Sequence, residues 1–120
     1  MDFSFNSRKF HWTNHIENKM KYYGLSKQRM RRVLKSPDRK EVGIAPETIA
    51  VMQSTGTKKR PTEIWLMFQD VQSKKEKLIN MISAWRYPGV SPKGKFPEIP
   101  EDALLELERF KKENDENKNS

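Results

Sequence analysis

The strongest constraint on the fold is a change in the spacing of apolar residues near residue 48. Beyond it, three β-branched and apolar runs at 48–53, 63–69 and 78–85 are separated by loops of about nine residues containing Gly, Pro, Lys or Ser. Parallel pairing of consecutive strands needs a crossover of a dozen residues or more. We therefore predict an antiparallel meander of three strands, with 39–42 as a weak fourth strand.

The region before residue 37 has helical spacing instead. A first helix is capped at Thr13 or Asn14 and ends at Gly24, which suits a left-handed C-cap. Its apolar stripe consists of Ile16, Met20 and Tyr23. A second helix is capped at Ser26 and ends before Pro37. Its apolar stripe consists of Met30, Val33 and Leu34. We expect an N-terminal helical hairpin on one face of the sheet.

The two ends of the chain complete the prediction of a single α+β domain over residues 1–112. Residues 1–12 hold an alternating aromatic stretch, which forms either an edge strand or an arm laid on the core. Residues 88–100 are rich in Pro and Gly and predict a surface loop. A C-terminal helix follows, with the stripe Ala103, Leu104, Leu107 and Phe110. Residues 113–120 are too polar to bury and predict a disordered tail.

Several classes of protein are poorly supported by the composition. The chain has no Cys and two His, so we expect no disulfide framework and no metal site. It has no apolar run near 18 residues and no signal-peptide layout, which favours a cytoplasmic protein with no membrane partner. No glycine-rich phosphate loop, HExxH motif or closely spaced acidic pair is present, so we expect no cofactor and no two-metal chemistry.

The positive charge is concentrated in the first third of the chain. The full sequence carries a net charge of +8, yet residues 8–40 alone hold eleven Lys or Arg and two acidic residues. Residues 98–120 hold four basic and eight acidic residues. Such asymmetry describes partners rather than fold, and nucleic acid is the commonest polyanion partner.

The second helix carries most of this charge, with no acidic residue between Lys27 and Lys35. Helices that are only structural usually mix the two signs, because opposite charges four residues apart stabilise a helix. The predicted nucleic-acid-binding ridge consists of Lys27, Arg29, Arg31, Arg32, Lys35, Arg39 and Lys40. The alternative is a solvated face that only keeps the protein soluble.

Two short motifs bear a resemblance to a known family. The segment NMISAWRYPG at 80–89 resembles the last strand of RelE/BrnT-like toxins. The segment HIENKMKYYGLS at 15–26 is similar to the His-led first helix of a related small family of uncharacterised domains. The resemblance covers residues 13–87 and leaves 88–120 outside. It implies the RelE/BrnT-like fold and a small ribonuclease toxin that cleaves messenger RNA and is silenced by an antitoxin-like protein partner.

Metal-independent RNA cleavage needs a proton acceptor and donor, together with cations that stabilise the phosphorane. We assign His15 as acid or base, Lys19 and Arg86 as electrostatic stabilisers, and Tyr87 as a proton donor or base-stacking group. His15, Lys19 and Tyr22 follow one line on the first helix. The structural alternative is that His15 caps the helix or packs on the sheet.

The last strand leaves further alternatives open. By alternation, Arg86 shares a face with Leu78, Ile82 and Ala84, and Trp85 shares one with Ile79 and Met81. Arg86 then either pairs with a buried acid such as Glu63 or offers its guanidinium to a phosphate. Trp65 and Trp85 either stack on bases or belong to the core.

Three functions are therefore consistent with the sequence. The first is a RelE/BrnT-like RNA-binding domain, for which metal-independent endoribonuclease activity is left open. The second is a non-catalytic nucleic-acid-binding domain, and the third is an interaction module whose basic helices dock an acidic protein.

Overall fold

In the described part of the chain, a five-stranded sheet and the helices packed on it form an α+β structure. The computed structural model describes residues 9–42, 47–72 and 77–94, together with 105, 107–109 and 112. In chain order the elements are β1 (Lys9–Trp12), α1 (Asn14–Tyr23), α2 (Lys27–Lys35), β2 (Arg39–Val42), β3 (Thr48–Gly56), β4 (Pro61–Gln72) and β5 (Lys77–Pro88). The strand order in the sheet is β1-β5-β4-β3-β2. The α+β class and the helix-on-sheet arrangement are therefore confirmed.

The sheet is mixed, so the prediction of three or four antiparallel strands is wrong. Strands β2 to β5 pair antiparallel as expected, but the aromatic stretch at the N-terminal side forms a fifth strand, β1, parallel to β5. Lys9 pairs with Leu78, and Trp12 pairs with Met81. Loop lengths constrain only strands that follow one another, and here both helices and three strands lie between the two parallel partners.

Both helices have the predicted caps. The Thr13 hydroxyl accepts a hydrogen bond from the Ile16 backbone N–H at 3.1 Å, and the Ser26 hydroxyl accepts one from Arg29 at 3.0 Å. Gly24 ends α1 in the left-handed region, with φ 67°. These local signals place the helices where the sequence predicts them.

The helices do not form the predicted N-terminal hairpin. Strand β1 precedes them, and each packs on different strands. Helix α1 contacts chiefly β5, whereas α2 contacts β3 and β4. The short connection at 24–26 therefore redirects the chain across the sheet instead of pairing two antiparallel helices.

Both faces of the sheet bury apolar side chains. Leu66 and Met67 follow one another in β4 and belong to different clusters. The helix-side cluster includes Ile16, Met20, Met30, Val33, Leu34, Val51, Ile64, Leu66, Phe68, Ile79, Met81 and Ala84. On the other face, Met67 and Ile82 pack with Leu107, and Trp65 packs with Ala50 and Met52. Leu107 has helical backbone, while positions 103, 104 and 110 of the predicted C-terminal helix lie outside the described residues.

A β-bulge in β5 changes which residues share a face. Met67 pairs with Ser83, but Phe68 pairs with Met81, so Ile82 is the extra residue. As a result Ala84 joins Met81 on the helix side, and Ile82 packs with Trp85 on the other face. The predicted grouping of Ile82 with Arg86, and of Trp85 with Met81, is wrong because one inserted residue inverts the alternation.

Thr13 connects β1, α1 and the bulge. Its backbone N–H donates to the Met81 carbonyl at 3.3 Å. Its hydroxyl oxygen lies 3.1 Å from the Met81 carbonyl oxygen and 3.0 Å from the Ile82 carbonyl oxygen, so the hydroxyl can donate its single proton to either one. The same oxygen caps α1, and the residue is 3% exposed. Thr13 therefore lies at the end of the parallel strand, caps the helix and donates hydrogen bonds to carbonyls at the bulge.

We expect Thr13→Val to lower the free energy of unfolding by about 2–3 kcal/mol, because it keeps the shape but leaves buried polar groups unpaired. The matched control is Ser26→Ala, which removes an exposed cap and should cost about 1 kcal/mol. Urea denaturation followed by circular dichroism measures both. Equal losses in the two variants would show that Thr13 is only a local cap.

Candidate nucleic-acid interface

One side of α2 presents a row of exposed cations. We call Lys27, Arg31, Arg32 and Lys35 the α2 basic face; all four are exposed. The apolar residues of α2 are buried against the sheet, which fixes the rotation of the helix about its axis. The Gln53 side-chain amide donates to the Arg32 carbonyl at 3.2 Å and to the Ser36 carbonyl at 3.0 Å, and so holds the C-terminal end of α2.

Among the described residues, little negative charge compensates the α2 basic face. Within the part of the chain that the structure describes, its one salt-bridge partner is Glu17, whose carboxylate lies 4.0 Å from Lys27 Nζ. Both side chains are about half exposed, and exposed pairs of this kind contribute little. The face therefore attracts anions from solution.

Two aromatic rings of β1 lie beside the α2 basic face. Lys27 Nζ is 5.2 Å from the centroid of the Trp12 ring. The Arg31 guanidinium carbon is 5.6 Å from the Phe10 ring and 6.0 Å from the Trp12 ring. Phe10 and Trp12 are partly buried and pack against the helix-side cluster. Cations and aromatic rings thus share one continuous surface formed by α2 and β1.

The seven residues of the predicted ridge are not all brought together. Arg29 is half-buried on α2, and Lys40 is exposed on the edge strand β2. Arg39 lies on the opposite face of the sheet, where its guanidinium carbon is 4.8 Å from the Trp65 ring centroid. The ridge therefore reduces to the α2 basic face, with Arg39 in a different environment.

Arg39 is the centre of a polar cluster that the sequence did not predict. We call Arg39, Glu41, Glu63, Trp65 and Ser91 the Arg39 cluster. Arg39 Nε donates to Glu41 Oε1 at 3.0 Å, and its Nη1 lies 3.8 Å from Glu63 Oε2. Glu63 Oε1 accepts from Trp65 Nε1 at 3.0 Å and from the Ser91 hydroxyl at 2.6 Å.

The Arg39 cluster fastens the segment after β5 to the sheet. Arg39 Nη1 and Nη2 donate to the Ser91 and Pro92 carbonyls, each at 3.1 Å. The Gly94 N–H donates to Glu41 Oε1 at 3.2 Å. The Arg39 side chain is 12% exposed, and each of its three guanidinium nitrogens already has an acceptor. This geometry serves packing of the segment rather than binding of a phosphate.

The predicted catalytic His15 is buried. It is 6% exposed, and its Nε2 lies 2.8 Å from the Ser83 hydroxyl on β5. This arrangement matches the alternative in which His15 packs on the sheet. Lys19 is half-buried one turn further along α1, and Tyr22 is 79% exposed. The line His15, Lys19, Tyr22 therefore runs from the interior to the surface.

Arg86 and Tyr87 are exposed near the end of β5, and Arg86 lies at the C-terminal end of α1. Arg86 Nε donates to the Tyr23 carbonyl at 2.9 Å, which satisfies a carbonyl in the last turn of α1. Tyr23 lies eight positions after His15, which corresponds to about 12 Å along the helix axis. His15, Lys19 and Arg86 are spread along α1, whereas Tyr87 pairs with Glu63 in the sheet register and so lies on the face opposite α1. The four predicted catalytic residues are therefore not gathered in one open site. Their role in cleavage stays a prediction.

The tight turn between β3 and β4 adds cations that the prediction left out. Lys58, Lys59 and Arg60 are exposed there. Gln53, which holds the end of α2, lies three residues before the end of β3 at Gly56. The turn and the C-terminal end of α2 therefore lie at the same end of β3. Three consecutive basic residues are visible in the sequence, but only the fold shows that they lie at the same end of β3 as the C-terminal end of α2.

Neither a metal centre nor a spanning helix is found among the described residues. No group of three His, Cys, Asp or Glu side chains in these residues is arranged to hold a metal ion. No helix there has the length and apolar character needed to cross a membrane.

Comparisons with known proteins add no relative. No family model, curated protein or solved structure gives a significant match to the chain. The resemblance to RelE/BrnT-like toxins stays a prediction carried by two short motifs.

We expect Arg39→Met to lower the free energy of unfolding by about 3 kcal/mol, because it leaves the buried Glu63 carboxylate without its cationic partner. The matched control is Lys40→Met on the same strand, where the side chain is exposed and the change should stay within about 0.5 kcal/mol. Chemical denaturation measures both. A small effect of Arg39→Met would return Arg39 to the candidate nucleic-acid ligands.

Proposed function

We propose that this chain is an RNA-binding domain that uses the α2 basic face to contact phosphates. The observation that carries the proposal is the row of four exposed cations on a helix whose opposite side is fixed in the core. Neutralising phosphates with Lys and Arg releases counterions from the nucleic acid, which is the main source of affinity that does not depend on sequence.

The choice of RNA rests on the motif resemblance and on the aromatic rings of β1. Phe10 and Trp12 lie beside the cations, and RNA-binding surfaces commonly combine phosphate ligands with rings on which bases stack. Phosphate contacts alone carry no sequence information. Binding through the α2 basic face should therefore be tolerant of RNA sequence.

The double variant Arg32→Gln, Lys35→Gln should weaken RNA binding and reduce its dependence on salt. The slope of log K against log salt is negative, and for a single strand each lost phosphate contact makes it less steep by roughly 0.7. The double change should therefore make the slope less steep by about 1.4. Fluorescence polarisation of a labelled RNA across a NaCl series measures the slope.

The matched control for this measurement is Lys77→Gln, Lys93→Gln. It removes the same charge from exposed positions outside α2 and should change the slope little. Equal effects of the two double variants would reduce the proposal to a general attraction between charges. Absence of RNA binding at low salt would contradict the proposal and leave an acidic, antitoxin-like protein as the partner of this face.

Binding and cleavage are separate properties. We expect labelled RNA to stay intact in the presence of EDTA, because the His15 imidazole is buried against Ser83 and does not reach a bound 2′-hydroxyl. Gel electrophoresis of the incubated RNA measures this. Cleavage by the natural chain that disappears in His15→Ala, Arg86→Ala would instead support the ribonuclease hypothesis.

A further inference from the structure

The strongest feature not used by a phosphate contact is the position of Phe10 and Trp12. The two rings lie 6.3 Å apart between centroids and are inclined by 40°. They project from β1, the short parallel strand at the edge of the sheet, and are packed on the helix-side cluster. Lys27 and Arg31 lie over them from α2. Two of the four cations of the α2 basic face therefore rest on aromatic rings.

We propose that this edge binds single-stranded RNA, with an unpaired base stacked on Trp12 while Lys27 and Arg31 hold the flanking phosphates. The inference rests on the proposed function and adds the class of nucleic acid and a second kind of contact. Trp12 becomes a ligand of the base, and the α2 basic face remains the ligand of the backbone.

The two cations that lie over the aromatic rings can be replaced there by an RNA base. Exposed cation–π contacts are weak, and charge-assisted hydrogen bonds to phosphate are stronger. Lys27 and Arg31 are exposed and have long flexible stems, so phosphates can draw both cations away from the rings. The ring surface that they leave is then open to a base, and the core packing of Trp12 keeps the ring in place.

An RNA duplex does not make both the phosphate contacts with the cations and the stacking contact with Trp12. Its bases are paired and stacked inside the helix, and only its phosphates and groove edges face outward. A single strand offers phosphates together with the free faces of its bases, and stacking on an aromatic side chain accepts every base. The neighbourhood of rings and cations on α2 and β1 therefore favours single strands.

The test compares a labelled 12-nucleotide oligo(U) with a 12-base-pair RNA duplex, using polarisation with the full chain. Trp12→Leu removes the ring, and Trp12→Phe keeps one. We expect Trp12→Leu to weaken oligo(U) binding about tenfold and to leave duplex binding within about twofold. Trp12→Phe should lose less than Trp12→Leu. Oligo(U) binding by Trp12→Leu at the natural affinity would overturn the inference.

Tryptophan fluorescence gives a second readout that does not depend on the stability of Trp12→Leu. The chain has three Trp, of which Trp65 is buried and Trp85 is partly buried on the opposite sheet face. We expect oligo(U) to quench the natural chain and to leave Trp12→Phe unquenched. Equal quenching of both proteins would also overturn the inference.

These outcomes separate the stacking inference from the proposed function. Loss of affinity for both nucleic acids in Arg32→Gln, Lys35→Gln, with no effect of Trp12→Leu, retains the phosphate contacts and removes the stacking. Unchanged binding of both nucleic acids in the Arg32→Gln, Lys35→Gln variant removes the proposed function itself, and with it the stacking inference that rests on it.

Discussion

The hydrogen bonds of Thr13 to β5 are the interaction on which the rest of the structure depends. They lie at the end of the four-residue strand β1, where the bulge displaces Ile82, and the same Thr13 hydroxyl caps α1 immediately beyond β1. Strand β5 accordingly pairs with β1 along one half and carries α1 along the other. Both the aromatic edge and the start of the helical layer take their positions from this junction.

The fold separates the cations of the predicted ridge into two environments. Helix α2 crosses towards β3 and β4 after the left-handed turn at Gly24, and its buried stripe leaves the α2 basic face exposed. Arg39 begins the next strand, and the pleat directs its side chain to the other sheet face. Arg31 and Arg32, eight and seven positions before Arg39, therefore belong to a surface that attracts anions. Arg39 itself belongs to a cluster that fastens the segment after β5 to the sheet.

Local chemistry explains why the helices and most strands could be predicted. Caps at Thr13 and Ser26, the left-handed Gly24, and the apolar stripes each act within a few residues, so their effect is readable along the chain. The existence of β2 to β5 followed from the same kind of signal. The α2 basic face could be predicted as well, because helical spacing alone separates Met30, Val33 and Leu34 from the cations.

Long-range pairing explains what could not be predicted. The parallel match of β1 with β5 joins residues about seventy positions apart, and no local pattern specifies it. The bulge at Ile82 inverted the faces assigned to Trp85 and Arg86. The salt-bridge partner of Glu63 is Arg39 rather than Arg86, because the strand register places Arg39 and Glu63 together beside Trp65. Burial of His15 against Ser83 likewise depends on where α1 meets β5.

The most direct test of the account is the map of backbone amide shifts in a nitrogen-15 NMR spectrum as RNA is added. We expect the largest changes on α2 and on the adjoining β1, and nearly unchanged amides in the Arg39 cluster on the opposite sheet face. The largest changes at Arg39, Glu63 and Trp65, with α2 unaffected, would contradict it.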